Sequence, residues 1–85
     1  MKVDMRRGKF FISRKNLVQY PKVVKQIMGQ CIIIRAEDMY AYNVIEYQAI
    51  SDWFDEVPEG MLIPEYDLNF TYVDRSVKWM FSKRE

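Results

Sequence analysis

Four carboxylates within eight residues, Asp52, Asp55, Glu56 and Glu59, form the densest group of side chains able to do chemistry. A hard cation needs several oxygens in fixed geometry, and this spacing matches no calcium-binding loop. Paired-carboxylate hydrolysis needs two acids held at a set separation across a cleft. A metal nuclease wants a lysine close behind its acidic ligands, and no lysine lies between Lys25 and Lys78. The chain has no histidine, which excludes Ser-His-Asp and Cys-His nucleophilic catalysis and imidazole metal ligands. Its one cysteine, Cys31, heads the apolar run Ile32-Ile33-Ile34 and reads as a core residue. Gly8, Gly29 and Gly60 are too far apart to cradle a phosphate. The residues therefore read as a binding protein with no catalytic residue, metal site or cofactor. Asp52, Trp53, Asp55, Glu56 and Glu59 read as a solvated or partner-facing loop.

The second chemical feature is charge segregation. Residues 1–25 carry eight bases against one acid, Asp4, whereas residues 37–74 carry ten acids and no base. The net charge is only +1. Arg6, Arg7, Lys9, Arg14, Lys15, Lys22 and Lys25 can line a phosphate-binding surface, which makes RNA the leading ligand. Tyr40 and Tyr42 can stack unpaired bases. The competing reading is that the basic and acidic halves lie side by side and neutralise each other.

These groups must be positioned by a single small domain. Eighty-five residues, 49% hydrophobic and 29% charged, exclude disorder and leave room for one core. The apolar runs are too short for a transmembrane helix, and the first seven residues contain no apolar signal segment, so the expected setting is cytoplasmic.

Gly8 to Ser13 alternates as a strand, extended back through Val3 and Met5. Ser13 or Asn16 offers a helix cap, a looser turn follows, and Pro21 suits the first position of a helix over 21–28. Val23, Val24, Ile27 and Met28 share one face of that helix, with Gly29 expected just past its end. Cys31–Arg35 reads as a buried strand and Glu37-Asp38 as a turn. Met39–Ile50 reads as an alternating strand, and residues 56–65 as a loop. In a final hairpin turning at Asp74-Arg75, Leu68 faces Phe81, Phe70 faces Trp79 and Tyr72 faces Val77. The expected fold is α+β: a small antiparallel β-sheet of about five strands with one helix packed on one face. One short helix covers only part of such a sheet, so the 51–65 loop or a second subunit, as a homodimer, must cover the rest.

The segments Phe54-Asp55-Glu56-Val57-Pro58-Glu59-Gly60 and Ile63-Pro64-Glu65-Tyr66, in a short, histidine-free chain rich in Tyr and Ile, resemble the accessory, anti-defence proteins of T-even-like tailed phages. The resemblance rests on size, composition and these segments. It implies a non-catalytic, antitoxin-like inhibitor that binds RNA and a host toxin ribonuclease in the infected bacterial cytoplasm. The acidic stretch would then face the basic substrate groove of that enzyme. Two alternatives stay open on the residues alone: a general RNA- or DNA-binding module, and a protein-only inhibitor using residues 37–74 as a nucleic-acid mimic.

Overall fold

The computed structural model describes residues 6–58 and 60–84. Strand β1 (Arg7–Ser13) leads into helices α1 (Arg14–Gln19) and α2 (Pro21–Gly29), then β2 (Ile32–Met39), β3 (Val44–Ile50), β4 (Tyr66–Val73) and β5 (Ser76–Lys83). The expected α+β class with antiparallel strands holds. The strands divide, however, into a three-stranded sheet of order β1-β3-β2 and the two-stranded β4-β5 hairpin. The hairpin joins the β1 edge where the Lys9 N–H donates to the Pro64 carbonyl at 2.9 Å and Lys9 bridges Glu65. The expected extension of β1 through Val3 and Met5, and Glu59, lie outside the described residues.

Two helices replace the single one expected. Ser13 caps α1, its hydroxyl accepting from the Asn16 N–H at 3.2 Å. Tyr20 stops it: the residue before a proline is driven out of the α region, and Tyr20 sits at φ −128°, ψ 56°. Pro21, which has no N–H to leave unpaired, then opens α2. Gly29 remains helical and Gln30 forms the cap, so the expected left-handed stop is absent.

The core follows the two periodicities of its elements. Phe10 and Ile12 alternate inward from β1, and Val24 and Ile27 from α2, with Val23 and Met28 packed beside them. Ala49, Phe54, Tyr66 and Phe81 complete the buried set. Phe10, Phe54 and Phe81 meet at ring-centroid distances of 5.0–6.2 Å. The hairpin register is the expected one, Leu68↔Phe81, Phe70↔Trp79 and Tyr72↔Val77, turning at Asp74-Arg75 with Asp74 at φ 55°. Phe81 is buried, but Trp79 is only half-buried and lies against Trp53 at 5.4 Å.

Two expectations in the middle of the chain are corrected. The strand after Cys31 is an exposed sheet edge, and every residue from Ile32 to Asp38 is exposed. Its apolar run resembled a buried strand because burial of a short run depends on strand order, which hydropathy does not encode. The β2–β3 turn is not at Glu37-Asp38, which lie within β2. It is made by a 3₁₀ turn over Tyr40–Tyr42 and by Asn43 at φ 57°, ψ 36°, a left-handed conformation that asparagine tolerates. Tyr40 and Tyr42 therefore sit on the turn and not on a strand face.

Candidate nucleic-acid interface

Ion pairing determines which charges remain available. Arg14, Arg35, Lys83 and Arg84 pair with Asp38, Glu37, Asp55, and both Glu65 and Asp67, respectively. These contacts are largely on the surface, where solvent and salt screen them, so they add little to stability. Their consequence is electrostatic. Among the described residues, Glu37, Asp55, Glu65 and Asp67 pair with bases outside the basic third, and Asp38 pairs with Arg14 inside it.

The seven cations expected to bind RNA do not form one surface. The Arg6 guanidinium donates to the Phe54 carbonyl at 3.1 Å and so fastens β1 to the segment after β3. Arg7 and Lys9 alternate with Gly8 and Phe10, and so project from the sheet face opposite the core. Arg14 pairs with Asp38 and lies 4.8 Å above the Tyr40 ring, which occupies one face of the tyrosine expected to stack bases. Asp38 holds the Arg14 guanidinium pKa above its ordinary value. Lys15, Lys22 and Lys25 are exposed on the helical layer and make no ion pair among the described residues.

Two tyrosines join that layer to the hairpin tip. The ring of Tyr20, at the α1–α2 junction, lies 5.7 Å from that of Tyr72 near the end of β4, tilted by 50°. A hydrogen bond with Tyr20 pushes the Tyr72 hydroxyl pKa up. Tyr72 keeps 59% of its surface exposed. Lys22 follows Tyr20 by two positions, and exposed Arg75 and Lys78 follow Tyr72 on the hairpin. The result is an exposed aromatic ring with Arg75 in the adjoining turn and Lys22 just past Tyr20, whereas Lys78, paired with Thr71, projects from the opposite face of the hairpin. Aromatic faces stack bases and cations hold phosphates, the pairing used for single-stranded nucleic acid.

Tyr20, Tyr72 and Arg75 are not singled out by the sequence. Alternation placed Tyr72 correctly on the inward side of the hairpin. Only the tertiary fold shows that the hairpin outruns the core and meets the helix junction there.

The acidic loop sits elsewhere. Asp52, Trp53, Asp55 and Glu56 are exposed around buried Phe54. The Asp55 N–H donates to the Tyr66 hydroxyl at 2.8 Å, Asp55 pairs with Lys83 at 3.2 Å, and Glu56 bridges Arg6. Trp53 is 44% exposed, with its inner side against Trp79 and Phe81. The loop is thus anchored and presents one aromatic ring and two acids, Asp52 and Glu56, without an ion pair among the described residues. Nearby, Cys31, Ile32, Ile50, Ser51 and Asp52 border a cleft of about 180 Å³, below the ~300–1,000 Å³ of ordinary ligand pockets. Burial pushes the Cys31 thiol pKa up, and a hydrogen bond with Ser51 only partly opposes this.

Among the described residues no group of three or more His, Cys, Asp or Glu side chains can hold a metal ion, and no helix is long and apolar enough to cross a membrane. Comparison with protein-family models, curated proteins and solved structures gives no match.

Proposed function

We propose that the protein is a non-catalytic RNA-binding inhibitor of a host toxin ribonuclease, acting in the bacterial cytoplasm. The observation that carries the RNA half is that Lys15, Lys22 and Lys25 are exposed on the helical layer and make no ion pair among the described residues, in the same layer as Tyr20, whose ring meets the exposed ring of Tyr72. Arg75, in the turn beside Tyr72, extends this surface to the hairpin tip, while Arg6 and Arg14 serve the fold. Single-stranded RNA suits the surface better than duplex, because an exposed ring needs an unstacked base. The ribonuclease half rests on the phage-type resemblance of the chain and on Trp53 with Asp52 and Glu56. An anchored, exposed tryptophan is the commonest kind of interface hot spot, and flanking acids complement a basic substrate groove.

The test is cleavage of a labelled RNA by a purified toxin ribonuclease in the presence of this protein. Wild type is expected to protect the RNA. The Lys15→Ser/Lys22→Ser/Lys25→Ser variant is expected to lose most of that protection while remaining folded. A variant that no longer binds RNA yet inhibits fully would transfer the working surface to the acidic loop.

A further inference from the structure

We propose that the open edge of β2 pairs with the same edge of a second copy of this chain, antiparallel about a two-fold axis at Ala36. β2 borders the three-stranded sheet, so among the described residues one side of its backbone has no strand partner. Its residues from Ile32 to Asp38 are exposed, including three consecutive isoleucines at 63%, 36% and 47%. Such an edge is a template for strand addition unless it is covered.

The charges on β2 select the partner and the register. In an antiparallel pair related by a two-fold axis, the residue at the axis faces itself. An axis at Arg35, Glu37 or Asp38 sets like charges directly opposite, which is destabilising. An axis at Ile34 or earlier places the β-bulge between Ile33 and Arg35 inside the new ladder, where the extra residue breaks hydrogen-bond spacing. An axis at Ala36 confines the bulge to the ladder's end. It sets Arg35 opposite Glu37 of the second copy, and does so twice. The existing sheet leaves a need for that contact. Glu37 already faces Glu46 on β3, a like-charge pair in which Arg35 reaches Glu37 at 3.5 Å and the Gln48 amide donates to Glu46 at 3.5 Å, so no second cation among the described residues meets the pair. A second copy brings another Arg35 to Glu37 from the open side. The pairing joins two three-stranded sheets into one of six strands and covers part of the isoleucine edge. An interface this narrow falls below the ~1,200 Å² of stable complexes, so the dimer is concentration-dependent.

Sedimentation equilibrium of the full chain from about 1 to about 500 µM tests this over the range of weak affinities. The mass is expected to rise from 10.3 kDa towards twice that value. Glu37→Arg is expected to raise the concentration at half-dimerisation by about tenfold or more, and Arg35→Glu to do the same from the other side. The double variant Arg35→Glu/Glu37→Arg restores both pairs and is expected to recover the wild-type midpoint. Circular dichroism checks that each variant is folded. A 10.3 kDa species at every concentration would overturn the proposal. So would a dimer indifferent to Glu37→Arg, or a double variant no better than the folded single ones.

Discussion

Gly8 carries the sharpest test of the core. A Cβ on Gly8 would lie 2.7, 2.8 and 2.9 Å from Cγ, Cδ1 and Cδ2 of Phe54. Carbon atoms pack at about 3.5–4.0 Å, so the ring would have to retreat by roughly 0.5–1 Å. It has nowhere to go: Phe54 is 1% exposed and abuts Tyr66 at 4.6 Å and Phe81 at 5.0 Å. Overpacking of this kind costs about 1–3 kcal/mol. Relief of glycine's excess chain entropy returns roughly 0.5–1 kcal/mol. Gly8→Ala should therefore destabilise by up to about 2.5 kcal/mol and lower Tm by up to about 20 °C in a domain this size. Urea and thermal unfolding followed by circular dichroism read both quantities. In a Phe54→Leu background the obstacle shrinks, and the same alanine should cost far less, a coupling above about 0.5 kcal/mol. If Gly8→Ala raises stability, or costs as much in the Phe54→Leu background as in wild type, the ring does not lie over the glycine and the account of the core fails.

Gly29 provides the opposite sign. It closes α2 in a helical conformation with open space around its Cα, so Gly29→Ala should raise stability by about 0.4–1 kcal/mol in urea unfolding. Asn43→Val forces a β-branched residue into the left-handed turn and should cost about 1–2 kcal/mol by the same measurement. Cys31 and Tyr47, raised chiefly by burial, and Tyr72, raised chiefly by its bond to Tyr20, are easier to hold protonated in the folded state. Their contribution to stability is complete below the unfolded pKa values, 9.0 for the thiol and 10.0 for the phenols, and fades as pH rises through the folded ones. A pH series of unfolding midpoints from 7 to about 11 should fall at its alkaline end, and Cys31 should react with thiol reagents more slowly folded than unfolded.

Local chemistry was legible wherever a single element determined it. The β4-β5 register follows from alternation and a two-residue turn, and the face of α2 follows from the spacing of Val24 and Ile27. Pro21 marks the start of a helix, and because it removes a backbone donor it argues against a helix begun at Asn16, so the short α1 before it reads as a looser turn. Ile32-Ile33-Ile34 misled for a different reason: a hydrophobic run indicates preference for burial, while the edge position of β2 is set by which strands pair. The candidate site was legible as a composition bias but not as a surface. Lys15, Lys22 and Lys25 stay available, Arg14 is taken by Asp38 and Arg6 by the Phe54 carbonyl. Tyr72 and Arg75 enter from a hairpin more than forty positions away. Ion-pair partners and hairpin reach are tertiary properties, and no spacing in the sequence records them.

The salt dependence of RNA binding tests the central claim most directly. Fluorescence anisotropy of a labelled single-stranded RNA is titrated with wild type, with Lys15→Ser/Lys22→Ser/Lys25→Ser and with Arg14→Ser across a range of salt. If three to five cations reach phosphates, the log–log slope for wild type is about −2 to −3.5. Removing the three lysines should flatten it by about 2, whereas Arg14→Ser, which loses only its contacts to Asp38 and Tyr40, should leave it unchanged. Binding without salt dependence, or a slope flattened by Arg14→Ser and untouched by the lysine variant, would contradict the assignment of the helical layer and hairpin tip as the RNA surface.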